Sequence, residues 1–299
     1  MVIFKNLKNL FSMSAVIAIS LSNIAYANSP TVVEIYGKNG CDADTKVQDK
    51  IFEILQKNDD IILINCRRYF NQENEDHRYT LDFCNDRAKQ YNIKFGYSGI
   101  KTPLIVINGK WDAFRKNLKP AVKIGKTDKV LPIGLSVNNQ AININIPDIK
   151  STIKQGSIFL YAYLPTQGKK TYIADPDLEI TEEIKEKLRN NKKVPFVQKV
   201  HLTNFYLRPI FKHKKIGNWT GEKISITYPL RDMVTMAGNR VKDMSYVVVL
   251  HEGSDYGPII AAGEVMSDQE MIQSLPKSEP LEIKFVSRPT PVAPAIPIQ

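Results

Sequence analysis

TVVEIYGKNGCDAD (residues 31–44) decides the fold prediction for the first half of the chain. Its first six residues are rich in Val and Ile, as is typical of a buried parallel strand. Residues 42–57 then carry apolar side chains at helical spacing, with Asp42 and Asp44 in the first turn, where carboxylates suit the helix dipole. Cys41 therefore stands where a strand passes into a helix.

Three further segments extend this pattern. Residues 61–65 (IILIN) predict a second buried strand, which completes a β-α-β unit with parallel strands and a right-handed crossover. A helical stretch follows from about residue 79 to residue 91. Residues 101–110 (KTPLIVINGK) then combine a Thr-Pro pair, a β-branched strand and an Asn-Gly hairpin turn.

This order of elements resembles the thioredoxin fold, in which the proline of the Thr-Pro pair is cis and faces the cysteine motif. More narrowly, the chain resembles a family of secreted bacterial thioredoxin-like proteins catalogued only as a domain of unknown function. The matching segments are VEIY (33–36) with Gly40-Cys41, TPLIVING (102–109), GNWTG (217–221), HEG (251–253) and GPII (257–260). The resemblance implies that Thr102 and Pro103 help to hold an extended peptide or protein partner.

The chain departs from that family at the presumed active end. Family members commonly carry two cysteines where this chain has Cys41 and Asp44. They also carry a His-containing segment where this chain has Asn65, Cys66 and Arg67. Because Asp44 stands in place of the second thiol of a Cys-x-x-Cys motif, dithiol redox chemistry does not simply carry over.

Residues 1–27 have the features of a bacterial Sec-type signal peptide. Lys5 and Lys8 form a positive n-region, residues 10–21 are mostly apolar, and residues 25–27 (Ala-Tyr-Ala) form a small-x-small cleavage site. The apolar stretch is shorter than the roughly 20 apolar residues of a membrane span. We therefore expect a periplasmic or secreted protein without a membrane span after signal removal.

The rest of the chain predicts two domains on length alone. We expect an α/β thioredoxin-like domain at 28–127 and an antiparallel β-sandwich-like domain at 128–286, because period-two runs replace the earlier pattern. AININI (141–146) alternates cleanly, so one face of that strand should be buried and the other wet. A charged helical insertion is predicted near 181–191, and a proline-rich disordered tail at 287–299.

The net charge of +10 favours attraction to anionic envelope surfaces. Nucleic acid is not a predicted partner, because no aromatic and basic motif of a nucleic-acid module is visible. The densest basic cluster, KHKK (212–215), is interpreted as a solvated hairpin end. No cofactor is predicted either.

The three cysteines leave their pairing open. Cys41 and Cys66 are expected at the same edge of the sheet, within the roughly 7 Å between Cα atoms that a disulfide allows. A Cys66 to Cys84 bond would instead close a loop worth roughly 3 kcal/mol and leave Cys41 free. The absence of any bond is the third possibility. A metal site that adds His77 to the cysteines is not predicted, because their spacing lacks a Cys-x-x-Cys or His-x-x-x-His pair.

Two functions follow from these residues. The favoured hypothesis is a non-catalytic or degenerate-motif binding module in the envelope, since Asp44 removes the usual resolving thiol. The alternative is a thiol-disulfide oxidoreductase in which Cys41 attacks and Cys66 resolves the mixed disulfide. The sequence leaves open whether the protein is an enzyme. His251, at a strand end before a glycine turn, is interpreted as structural.

Overall fold

The structure is a computed structural model, and it describes fourteen segments of the chain. These are residues 29–38, 42–55, 57–68, 81–99, 101–113, 118–138, 140–164, 170–174, 179–189, 194–195, 197–200, 208–233, 244–266 and 281–285. The predicted signal peptide at 1–27, the predicted tail at 287–299, Cys41 and His77 lie outside the described residues.

The first part of the chain forms a four-stranded sheet with three helices. Its strands are β1 (Thr31–Lys38), β2 (Ile61–Arg68), β3 (Leu104–Ile107) and β4 (Trp111–Asp112), and its helices are α1 (Asp42–Leu55), α2 (Asp82–Lys94) and α3 (Leu118–Gly125). The strand order is β2-β1-β3-β4. β1 runs parallel to β2, whereas β3 is antiparallel to β1 and β4.

The remaining elements are mainly strands. They are β5 (Leu131–Pro132), β6 (Gly134–Val137), β7 (Ala141–Ile146), β8 (Gly156–Tyr163), β9 (Lys170–Ala174), α4 (Glu182–Arg189), β10 (Val197–Val200), β11 (Ile210–Trp219), β12 (Ile224–Pro229), a short 3-10 helix (Leu230–Met233), β13 (Ser245–Glu252), β14 (Ile259–Val265) and β15 (Leu281–Phe285). They form a five-stranded sheet, β11-β8-β13-β14-β5, and two three-stranded sheets, β12-β7-β6 and β10-β9-β15.

The two faces of the four-stranded sheet have different neighbours. One face packs on α1 and α3 through odd-numbered strand residues such as Val33, Ile35 and Leu63. The other face, with Val32, Tyr36 and even-numbered residues of β2, packs on α2 and on the five-stranded sheet. A single apolar cluster thus joins the beginning of the chain to its second half.

The central strands of the five-stranded sheet, β8 and β13, are buried on both faces. Phe159 and Tyr161 of β8 lie in the cluster shared with the four-stranded sheet, together with Val247 of β13. The alternate residues Leu160 and Val248 pack instead on the other side, against the β12-β7-β6 sheet. All eight residues of β8 are buried, so this strand has no wet face.

β7 follows the alternation of its sequence. Ile142, Ile144 and Ile146 are fully buried. Asn143 and Asn145 lie on the outer face, where their side-chain oxygens accept hydrogen bonds from hydroxyl groups of β12. The pattern in AININI therefore predicted the orientation of this strand.

The predicted fold class is wrong. We expected an α/β thioredoxin-like domain followed by an antiparallel β-sandwich-like domain, but the molecule is built mainly from stacked mixed and antiparallel sheets. The second face of the first sheet packs on another sheet as well as on α2, where an α/β domain would have a helical layer. The central five-stranded sheet includes a parallel β14–β5 pair and has neighbours on both faces.

The interpretation of the basic cluster at 212–215 is also wrong. These residues lie within β11, a ten-residue strand at one edge of the five-stranded sheet. Lysines on an edge strand protect its unpaired backbone groups from pairing with other chains. The charged segment near 181–191 does contain a helix, α4. No helix in the described part of the chain is long and apolar enough to cross a membrane.

Candidate binding site at the carboxyl ends of the first two strands

Three of the predicted site residues, Cys66, Thr102 and Pro103, lie around one edge of the four-stranded sheet. β1 and β2 end side by side, with Lys38 opposite Arg68. Leu104 at the start of β3 lies opposite Tyr36, which brings Pro103 to the same edge. The Thr102–Pro103 peptide bond is cis. Thr102 is half-buried and Pro103 is buried.

β2 sends alternate side chains to opposite faces as it approaches this edge, because side chains along a strand alternate. Asn65 and Arg67 face α1, where they meet Asp44 and Gln48. Cys66 faces α2. Arg68 follows the same alternation and contacts the segment before Pro103.

Cys66 and Cys84 form a disulfide between β2 and α2. Their Cα atoms are 5.4 Å apart. Both side chains are 0% exposed and belong to the apolar cluster beneath the five-stranded sheet. Cys66 is therefore neither a free thiol nor accessible to a partner in this structure.

Asp44 occupies the position of the absent second thiol and forms a buried ion pair. Its carboxylate pairs with the Arg67 guanidinium and also accepts a hydrogen bond from Gln48 at 3.0 Å. Burial raises the pKa of the Asp44 carboxyl, and Arg67 opposes that shift. Asp44 is 1% exposed and Arg67 is 2% exposed. The position thus holds α1 against β2.

Gly37 is the residue that makes room for this ion pair. A methyl group at Gly37 would overlap the Asp44 carboxylate and approach Nη1 of Arg67 to 2.6 Å. Contacts under 3.0 Å are closer than such carbon atoms tolerate, so the pair requires glycine at this position of β1. The sequence analysis assigned no role to Gly37.

Arg68 lies at the end of β2 without an anionic partner among the described residues. It is 4% exposed. Its Nη1 donates to the Lys101 carbonyl at 3.2 Å and to Thr102 Oγ1 at 3.4 Å. Its Nε is buried and has no hydrogen-bond partner. Burial lowers the pKa of Arg68, although a guanidinium keeps its charge at any physiological pH.

The surroundings of Arg68 add further positive charge. The Lys101 ammonium lies 5.2 Å from the centre of the Tyr97 ring, in a cation-π contact. Lys38 is the cross-strand neighbour of Arg68. Arg67 is adjacent in sequence, but its charge is matched by Asp44. This edge of the sheet is therefore suited to a negatively charged group.

A second polar cluster, which sequence analysis missed, lies between the four-stranded and five-stranded sheets. Glu34 of β1 pairs with Arg87 of α2 at 2.9 Å, and both are almost fully buried. Tyr36 and Tyr91 each donate a hydroxyl hydrogen bond of 2.7 Å to the Glu34 carboxylate. Burial, the largest cause, raises the pKa of both tyrosines well above its usual value.

His251 of β13 completes this cluster from the second half of the chain. Its Nδ1 lies 2.8 Å from the Gly257 carbonyl, and its Nε2 lies 2.6 Å from Arg87 Nη2. Since the carbonyl accepts and the guanidinium donates, Nδ1 carries the proton and Nε2 accepts. Burial and the neighbouring Arg87 charge hold the pKa of His251 well below its usual value.

The cluster of Glu34, Arg87 and His251 is suited to a structural role. Each charged or titratable group has its partner within the protein, and all three side chains are buried. A neutral imidazole that accepts from an arginine does not act as a general base. One feature of the sequence indicates this cluster. Glu34 interrupts an otherwise apolar strand, and a buried carboxylate requires a partner.

The described residues contain no group of three or more His, Cys, Asp or Glu side chains placed to hold a metal ion. Arg87, in the second polar cluster, and the nearby Lys94 also donate hydrogen bonds to backbone carbonyls. Arg87 Nη1 donates to the Asp255 carbonyl at 2.9 Å. Lys94 donates to the Gly109 carbonyl at 2.7 Å. These contacts fasten the loop after β13 and the β3–β4 turn to α2.

No family model and no curated protein matches the chain. The resemblance to the secreted thioredoxin-like family accordingly stays a prediction.

The chain is similar to a crystal structure of a protein from Agrobacterium tumefaciens, determined as a structural genomics target. The two sequences are 14% identical, and the match has a TM-score of 0.58. It covers 82% of this chain and 97% of that chain. At this identity the likeness shows the fold alone. Because the match covers far more of the chain than residues 28–127, the shared fold includes elements from both parts of the chain.

Proposed function

We propose that the protein is an exported, non-catalytic binding module of the bacterial envelope. The observation that carries the proposal is the buried Cys66–Cys84 disulfide. Exchange chemistry needs an attacking thiolate and a second thiol within reach. With Cys66 bonded and Asp44 in its ion pair with Arg67, neither position can resolve a mixed disulfide on Cys41.

The proposed binding surface is the edge formed by Arg68, Lys101, Thr102 and Pro103. It lies where the ends of β1 and β2 meet the start of β3. An extended peptide or protein segment is the proposed partner, since this edge combines the Thr102–Pro103 segment with the charged side chain of Arg68. The net charge of +10 supports an additional attraction to anionic envelope surfaces.

Export is supported by two independent features. Residues 1–27 have the composition of a Sec-type signal peptide. The Cys66–Cys84 disulfide suits an oxidising compartment, because reducing systems of the cytosol keep thiols reduced. A periplasmic or secreted location is therefore proposed. Nucleic acid is not proposed as a partner.

The alternative, a thiol-disulfide oxidoreductase, makes a different experimental prediction. Insulin reduction by dithiothreitol, with and without a catalytic amount of the protein, measures exchange activity. We expect no acceleration by the wild-type protein, and the same result for Cys41→Ser. Acceleration that Cys41→Ser abolishes would show that Cys41 turns over and would overturn the non-catalytic proposal.

A further inference from the structure

The Arg68 guanidinium is a buried cation whose charge nothing in the described chain neutralises. Its relative exposure is 4%, and none of the described carboxylates forms an ion pair with it. The other two buried arginines near this sheet differ, since Arg67 pairs with Asp44 and Arg87 pairs with Glu34. A charge withdrawn from water without an opposite charge destabilises the folded state. The described part of the chain therefore leaves the Arg68 charge unmatched.

Among the described residues, the hydrogen bonds of Arg68 involve only one of its three guanidinium nitrogens. Nη1 contacts the Lys101 carbonyl and Thr102 Oγ1, at 3.2 Å and 3.4 Å. Nε, on the other side of the group, is buried without a partner. Nη2 also has no hydrogen-bond partner among the described residues, but it is not one of the fully buried unpaired atoms, so a ligand can reach it. A carboxylate forms a strong, charge-assisted hydrogen bond with such a nitrogen.

We propose that Arg68 anchors a carboxylate of the bound partner, through Nη2, at the edge next to Thr102 and Pro103. This inference rests on the proposed binding function and adds the chemical class of its ligand. The carboxylate belongs to an acidic side chain or to the C-terminus of an extended peptide. The Lys101 side chain adds positive charge at the same edge.

Nuclear magnetic resonance of the Arg68 Nε–H group tests this inference directly. The resonance is assigned in ¹⁵N-labelled protein by its loss in Arg68→Gln. The probes are a capped pentapeptide of Gly and Ser with one central Glu, the same peptide with Gln, an uncapped Gly/Ser peptide with a free C-terminus, and inorganic phosphate. Each is added in turn to the full-length mature protein.

We expect the chemical shift of the Arg68 resonance to change, and the change to saturate, on addition of the Glu peptide or the peptide with a free C-terminus. The Gln peptide should leave the chemical shift unchanged. Arg68→Gln should weaken binding of the better carboxylate probe by about tenfold or more, the size of a charge-assisted pair. Arg68→Lys keeps the charge but lacks the fork, and should bind with intermediate strength. Arg231→Gln, at an exposed arginine after β12, should bind like wild type. Whichever carboxylate saturates at lower concentration identifies its source.

Three results would overturn the inference: an unmoved Arg68 resonance, an equal response to the Gln peptide, or tighter binding of phosphate than of either carboxylate. Circular dichroism of both Arg68 variants separates lost binding from lost folding. The inference and the proposed function fail separately. Insulin reduction that depends on Cys41 would overturn the non-catalytic proposal even if Arg68 binds carboxylates. Failure of Arg68 to bind any carboxylate probe would overturn this inference alone and leave the non-catalytic proposal intact.

Discussion

Nη2 of Arg87 lies 2.6 Å from Nε2 of His251, although the two residues are 164 positions apart in the chain. The contact links α2, in the first third of the chain, to β13 near its end. Arg87 also pairs with Glu34 of β1. One buried network thus crosses the junction between the four-stranded and five-stranded sheets, which explains why the beginning and the end of the chain pack as neighbouring layers.

Arg87→Gln should strongly destabilise the protein. The variant leaves the Glu34 carboxylate buried without its counter-charge, and breaking such a pair costs about 3–5 kcal/mol of unfolding free energy. Urea unfolding followed by circular dichroism measures the change. Lys89→Gln, on the exposed side of the same helix, should unfold almost like wild type. A loss of less than about 1 kcal/mol for Arg87→Gln would show that the network contributes little.

Stability should fall as the pH is lowered from neutral. Burial and the nearby Arg87 charge lower the pKa of His213 from 6.5 to about 4, and His251 is shifted in the same direction. The unfolded chain therefore binds protons on these rings that the folded chain does not bind. The stability they contribute is complete above pH 6.5 and declines below it.

His213→Phe tests the histidine contribution. The His213 ring stacks on Phe83 with centroids 3.4 Å apart, and phenylalanine keeps an aromatic ring there without a titrating group. Urea unfolding at several pH values between 7 and the pKa of about 4 should show a shallower decline for the variant. We expect a difference of about 1–2 kcal/mol, because the ring is only partly buried and solvent reduces the effect. Parallel curves for the two proteins would contradict this expectation.

Gly37→Ala should destabilise the protein by about 1–3 kcal/mol, the usual cost of overpacking a buried site. Its methyl group would meet the Asp44 carboxylate and the Arg67 guanidinium. Thermal unfolding measures the effect. Gly99→Ala is a matched control, since nothing lies within 4 Å of a methyl group there. Equal melting temperatures for the two variants would mean that the Asp44–Arg67 pair can shift without cost.

The double variant Cys66→Ala, Cys84→Ala should lose about 3 kcal/mol of stability by the chain-entropy account of a disulfide. The two cysteines are separated by 18 positions. Denaturant unfolding with and without dithiothreitol checks this: the reducing agent should destabilise wild type and leave the double variant unchanged. Identical unfolding of both proteins under oxidising conditions would show that the bond does not stabilise the fold.

Local structure was largely predictable from the sequence. The alternation of apolar and polar residues predicted β7, whose predicted and observed bounds are both Ala141 and Ile146. The apolar run at 61–65 marked most of β2, and helical spacing marked α1. These patterns reflect which side chains are buried, and the spacing of buried residues along a short segment can be read from the sequence alone.

The packing of the sheets was not predictable in the same way. Burial of β8 on both faces gives a continuous apolar run, which indicates a buried strand but not what covers it. The basic strand β11 was mistaken for a turn because its lysines suggested solvent, whereas an edge strand exposes such residues too.

The candidate site was partly predictable. Cys66, Thr102 and Pro103 were singled out in advance, from strand ends and from the family resemblance. Arg68 and Arg67, the partner of Asp44, were not predicted as site residues. Their contacts depend on the face of the sheet toward which each side chain points at the end of β2, and the sequence does not show this. Glu34, as the only acidic residue in an apolar strand, indicated that a buried partner was needed. Nothing in the sequence showed that Arg87 and His251 would contact this cluster.

The most direct test of the non-catalytic account is disulfide mapping by mass spectrometry of the mature protein, alkylated first without and then with reduction. The account predicts a peptide pair linked through Cys66 and Cys84, with Cys41 alkylated before reduction. A peptide pair linked through Cys41 and Cys66, or alkylation of Cys66 before reduction, would contradict it, because Cys66 would then be available for exchange.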